Sequence, residues 1–121
     1  MADGELLINT VRSESTSTPG RSVSHVRGQQ LVIDEPTHLG GPGEKITPAE
    51  AFLSGVAACG VLLVEGRAHE AGIQLNNVEA TIEAVRRRSD TSVFQEIRLA
   101  FVISGPDQPQ AEALVSHYQQ H

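Results

Sequence analysis

The chain has 121 residues, enough for one domain. Its apolar share is only 39%, which leaves little core to spare and fits an obligate oligomer. There are 15 acidic residues against 9 Lys and Arg, for a net charge of −6. That balance argues against nucleic acid or an anionic membrane surface as the main partner. A single cysteine excludes an intrachain disulfide framework and any multi-cysteine zinc or iron–sulfur site. No apolar run matches a transmembrane helix, and Met1 to Glu5 has no signal-peptide character. A soluble, cytoplasmic protein is expected.

Glu5 to Ser13 opens on Leu6, Leu7 and Ile8 and reads as a first strand. Ser13 to Gly20 is a Ser/Thr-rich loop closed by Pro19-Gly20. Ser22 to Asp34 is strand-like on both sides of Gly28, which suggests a hairpin turning at Arg27-Gly28-Gln29. Pro36 to Lys45 contains Gly40-Gly41-Pro42-Gly43 and is a loop. Thr47-Pro48-Ala49-Glu50 then carries an N-cap, a first-turn proline and a capping-box glutamate. The helix should run to Ala71 and stop at Gly72. From Ala51 to Val64 it is apolar almost all round, so most of its faces should be buried. Its small residues, Ser54, Gly55, Ala57, Ala58 and Gly60, would let a helix or sheet approach closely.

Val78, Ala80, Ile82 and Ala84 alternate with polar residues and predict a half-buried strand. Val93 to Ser104 is its antiparallel partner, with Ile97, Leu99, Phe101 and Ile103 on one face. Arg86 to Asp90 forms the connection. A last helix starts near Asp107 or Gln108, with Ala111, Leu114, Val115 and Tyr118 at helical spacing. The order β-β-β-α-β-β-α makes the fold class α+β.

Few residues carry chemistry. Cys59 sits in the middle of the long helix and is either a buried small hydrophobe or a reactive thiolate. A thiolate needs a nearby cation or helix N-terminus. Cys59 lies too deep in its helix for its own N-terminus to help, and Arg67 is roughly 12 Å further along the axis. Glu50 is either a cap or a site carboxylate. Nine helical residues place it opposite Cys59 and about 13 Å away, so a shared site needs a second copy or a bridging arginine. His117 and His121, four apart, are a weak metal pair, and His69-Glu70 is equally unspecific. The glycine loop lacks the pattern of a phosphate cradle. Arg86-Arg87-Arg88 reads as a solvated turn.

The string Leu31-Val32-Ile33-Asp34-Glu35-Pro36, Gly40-Gly41, Thr47-Pro48-Ala49-Glu50 and Ala57-Ala58-Cys59 resembles the OsmC/Ohr family of osmotically inducible and organic-hydroperoxide-resistance proteins. The resemblance runs over nearly the whole chain and implies one OsmC-like domain across residues 1–121. It implies antiparallel sheets wrapped around long central helices in an intertwined homodimer, with active sites at the subunit interface. It also implies a thiol peroxidase acting on organic hydroperoxides, restored by a thiol reductant and needing no metal or cofactor. Cys59 matches the peroxidatic cysteine. Glu50 matches the Pro-x-Glu glutamate, one place nearer the cysteine than in the best-known peroxidases. Arg27 is the leading candidate for the activating arginine, with Arg12 and Arg21 as others. The family's second, resolving cysteine has no counterpart here. That cysteine and a last strand are expected to be lacking, or to follow His121. The alternative is a catalytically silent OsmC-like dimer that binds a small apolar ligand or a partner. A thiol-redox domain acting on a disulfide or persulfide is a third reading.

Overall fold

The computed structural model describes residues 4–120. Its elements run β1 (Arg12–Ser15), β2 (Arg21–Val26), β3 (Gln29–Asp34), α1 (Pro48–Glu70), β4 (Asn77–Arg87), β5 (Asp90–Ser104) and α2 (Gln108–Gln120). A short 3-10 turn, Thr37–Leu39, interrupts the loop before α1. The strands form two antiparallel sheets, β1-β2-β3 and β4-β5, so the predicted α+β class and element order hold. The chain divides into two units, Met1–Ala51 and Phe52–His121.

In the first unit β2 and β3 pair from Arg21↔Asp34 to Val26↔Gln29. Arg27 and Gly28 form the two-residue turn between them. Both have positive φ, 48° and 78°, the backbone that matches the twist of a tight hairpin. The first strand is shorter and later than the sequence suggests. It pairs with β2 only from Arg12↔His25 to Ser15↔Ser22. Among the described residues, 5–11 find no ladder partner, so they are not a strand and Leu6, Leu7 and Ile8 stand in solvent. Apolar alternation proposes a strand, but only a hydrogen-bonding neighbour makes one.

The loop from Glu35 to Lys45 is folded back on β3. Glu35 N–H donates to the Gly20 carbonyl, and Gly41 and Gly43 N–H donate to those of Pro36 and Glu35. Gly41 fits because it lacks a side chain. A Cβ there would collide with the Glu35 carbonyl oxygen. Ile46 then bridges to Ile33 and delivers the chain to Thr47, where α1 begins as predicted. Gly72, at φ 70°, ends it.

In the second unit Val64, Ala68 and Leu114 are the buried core. Ile73, Leu75, Val78, Phe101, Ile103 and Tyr118 pack around them. Gly60 lies under the Phe101 ring, which a Cβ would approach to 3.0 Å, so this small residue does admit the sheet. Phe101 meets Tyr118 edge-on, with centroids 5.5 Å apart. The β4–β5 turn is tighter than expected: the strands extend to Arg87 and from Asp90. Asp107 and Gln110 exchange side-chain bonds with each other's backbone N–H and cap α2.

Two expectations about α1 fail. Only Gly60, Val64 and Ala68 of its residues are buried, and Phe52 and Leu62 are more than half exposed. The chain alone has too little apolar surface elsewhere to cover a helix that is apolar on every side. By length and composition α1 is also long and apolar enough to cross a membrane, contrary to the sequence reading. Its glycines and alanines add to the apolar run without adding bulk.

Candidate functional site

Cys59 is exposed, and it is the one cysteine in the sequence. The core takes the face of α1 that carries Gly60, Val64 and Ala68. At 100° per residue, Phe52, Gly55, Val56, Cys59, Leu62, Leu63 and Gly66 lie on the other side, within about 120° of one another. Cys59 therefore sits on an apolar stripe facing away from the core. The buried reading of this thiol is overturned. A residue type that is usually buried is here on the uncovered side of a helix.

Glu50 belongs to the N-terminal cap. Thr47 N–H donates to its carboxylate at 2.9 Å, and its own N–H donates to Thr47 Oγ1 at 3.2 Å. This is the reciprocal capping box. Both residues lie in one continuous helix, so the nine-residue interval still sets Glu50 and Cys59 on opposite sides.

The three candidate arginines differ sharply. Arg21 is fully committed: its Nε donates to Asp34 Oδ1 at 2.6 Å, and its Nη2 donates to Asp34 Oδ2 at 2.9 Å and to Glu44 Oε1 at 3.0 Å. Asp34 is completely buried and also accepts from the backbone N–H of Glu44 and Lys45. Four charge-assisted bonds to one carboxylate hold Asp34 well below the usual carboxylate range, with the Arg21 fork as the main cause. The same pairing pushes Arg21 upward. Arg12 pairs with Glu14 at 3.0 Å, and Glu14 also meets His25 at 2.9 Å. The contact with Arg12 lowers Glu14. Arg27 stands on the exposed hairpin turn and, among the described residues, makes no ion pair.

The Arg21–Asp34 clasp is the part of this region that sequence reasoning missed. The available signal was a carboxylate ending the apolar run Leu31-Val32-Ile33, directly before Glu35-Pro36. Nothing local announced its partner thirteen residues upstream. Among the described residues no three His, Cys, Asp or Glu side chains could hold a metal ion, and His121 lies outside them. The glycine loop spends several of its N–H groups on Pro36, Glu35 and Asp34 rather than on a phosphate. Between β5 and α2 lies an open groove of about 650 Å³, lined by Leu99, Phe101, Ile103, Ala111 and Val115 among others.

Known structures share this architecture. An OsmC-like protein from Mycoplasma pneumoniae superposes with a TM-score of 0.81 at 18% identity, over 95% of this chain and 82% of the other. An organic hydroperoxide resistance protein OsmC from Legionella pneumophila gives 0.74 at 25% identity, over 96% and 85%. One from Elizabethkingia anophelis gives 0.72 at 18%, over 98% and 85%. No curated protein matches the chain by sequence. The family model for OsmC-like protein matches residues 41–121, the segment that contains the second half of the glycine loop, Glu50, Cys59 and the β4–β5 pair. Sequence motif, fold and family model agree, and the chain belongs to the OsmC-like protein family.

Proposed function

We propose that this chain is a thiol-dependent peroxidase of organic hydroperoxides, working in the cytoplasm as a homodimer with Cys59 as its nucleophile. The observation that carries the reading is the placement of Cys59: an exposed thiol in the middle of an apolar helical stripe. An apolar surround suits the organic part of such a peroxide. The names of the relatives from Legionella and Elizabethkingia point the same way.

In the proposed step the Cys59 thiolate attacks the distal peroxide oxygen. An S–O bond forms, the O–O bond breaks, and the leaving alkoxide takes a proton to become an alcohol. Cys59 is left as a sulfenic acid. An external thiol condenses with it, releasing water, and a second thiol frees Cys59 from the mixed disulfide. Arg27 is the proposed cation for the thiolate and the leaving oxygen. It alone of the three candidates is uncommitted, since Arg21 serves Asp34 and Arg12 serves Glu14. Glu50 would come from a second copy, because its own helix turns it away from Cys59. A second copy would also cover the α1 stripe. Gly55 and Gly66 on that stripe meet nothing within 4 Å of their missing side chains, so they leave room for a close approach.

The test is turnover of cumene hydroperoxide with a dithiol reductant. Cys59→Ser should abolish it, and one peroxide equivalent should add a single oxygen to the parent chain by mass. A second reading is favoured by the lone cysteine: a dimer without turnover that binds a small apolar ligand. Ligand affinity retained in Cys59→Ala, with no turnover in the parent protein, selects it.

A further inference from the structure

The second half of β5 is an edge without protection. Among the described residues β5 is laddered on one side alone, to β4. Sheets guard such an edge with charge, proline or a bulge. In its first half β5 has charge at Glu96 and Arg98, and the register shifts beyond Glu96. From Leu99 to Ser104 it reads Leu-Ala-Phe-Val-Ile-Ser, with neither charge nor proline. The pairing there runs unbroken from Leu99↔Ile82 to Ser104↔Asn77, so no bulge turns the edge away.

The groove between β5 and α2 opens along this edge. Phe101, Val102 and Ile103 all line it, although successive side chains of a strand point to opposite faces. A cavity that touches both kinds lies along the rim of the strand. β4 holds the other rim, so this is the free one.

α2 supplies the facing wall. Ala111 and Val115 are its apolar part, and both are half-buried. Gln108, Glu112 and Ser116, four residues apart, add a polar row. The row spans about 12 Å along the helix axis, the reach of roughly four extended residues. Gln108 Nε2 donates to Glu112 Oε1 at 3.2 Å. Among the described residues that is the one bond the Glu112 carboxylate makes, and no Lys or Arg closes on it. The wall therefore presents one uncompensated negative charge above an apolar floor.

We infer that this groove binds an extended peptide segment of a partner protein, added to the β5 edge as a further strand, with apolar residues and one Lys or Arg at alternate positions. Main-chain bonds to the edge supply affinity, and the places for alternate side chains supply selectivity. The cation lays its methylene stem on the floor and brings its head to Glu112. A small apolar ligand would fill the floor and leave the edge unpaired. Residues 5–11, the chain's own unpaired apolar segment, carry Glu5 and no cation, so they do not answer Glu112. The groove lies wholly within the second unit and does not use Cys59.

The probe is the end-capped peptide Val-Thr-Lys-Thr-Val-Thr, titrated into the intact protein by calorimetry. Its Val, Lys and Val share one face of an extended strand. Glu in place of its Lys should weaken binding about tenfold, the loss of one charge-assisted contact. Glu112→Gln should erase that difference, and Glu65→Gln on α1 should leave it unchanged. Two N-methylated versions test the strand itself, because alternate N–H groups of a strand point to opposite sides. Methylating one alternate set should abolish binding, and methylating the other set should leave it intact. Equal behaviour of the two methylated peptides, or a Lys preference that ignores Glu112→Gln, overturns the assignment. Binding of dodecylammonium without binding of the peptide marks a small-ligand groove and overturns it as well. Exclusion of the peptide by self-association of the chain gives the edge to a second copy and likewise overturns it.

Discussion

The Asp34 clasp and the α1 stripe are opposite solutions to the same problem. Asp34 is a charge buried to zero exposure, an arrangement that is costly unless every lone pair is met. Within this one chain it is met, by Arg21 and by the N–H groups of Glu44 and Lys45. The stripe is the reverse. It consists of apolar groups that belong inside, and the chain leaves Phe52, Leu62 and Leu63 roughly half exposed. A polar demand is answered locally because hydrogen bonds are short and directional. An apolar demand needs area, and a chain of this size and composition runs out of it.

That contrast can be broken from the clasp side first. Asp34→Ala should give the largest effect, lowering Tm by roughly 10 °C or more, because Arg21 and two N–H groups lose their acceptor together. Thermal melts of the two proteins measure it. Acid should act through the same group. The depressed pKa of Asp34 means that its contribution is fully present above about pH 4, the ordinary carboxylate value, and is lost as pH falls below it. Melts between about pH 2 and 7 should show a steep acid limb that Asp34→Asn flattens.

From the stripe side, Leu62→Glu should leave the fold nearly unchanged, since a site 63% exposed has little to lose. It should weaken self-association roughly a hundredfold, because a charge would be trapped unpaired at the contact. Light scattering across a dilution series reads both copy number and affinity, and a parent chain that stays monomeric at every concentration sinks the dimer. The smallest effect sharpens the role of Glu50. Thr47→Ala should cost about 1 kcal/mol through the lost cap and leave peroxide turnover intact. If Glu50 does no more than cap, Glu50→Gln will behave the same way; a much larger loss of turnover marks a carboxylate that serves the thiol.

The residues differ in how far they could be read in advance. Both ends of α1 were legible, because Thr47, Pro48, Glu50 and Gly72 act on the backbone within a few residues of themselves. So were the Arg27-Gly28 turn and the strand alternation from Val78 to Ala84. Leu6 to Ile8 misled, since a strand is a property of two segments and only one was on the line. The exposure of α1 misled in the same way: its pattern reports that it needs cover, not who supplies it. In the candidate site, Cys59 stood out as the single thiol, but its exposure depended on which side of α1 the β4–β5 face would take. The separation of Arg21 from Arg27 depended on Asp34, a partner that lies far from Arg21 in sequence and next to it only through the β2–β3 register.

The loop that precedes α1 has one more consequence. By composition, Gly40-Gly41-Pro42-Gly43 is a loop, and glycine-rich loops are where proteases cut and amide protons exchange fastest. Here the N–H groups of Leu39, Gly40, Gly41, Gly43, Glu44 and Lys45 are all bonded, two of them to a carboxylate with no access to water. Those two amides should exchange with deuterium as slowly as strand amides do, opening only when the clasp opens. Trypsin should likewise pass over Lys45, although it is exposed, until Asp34 lets go.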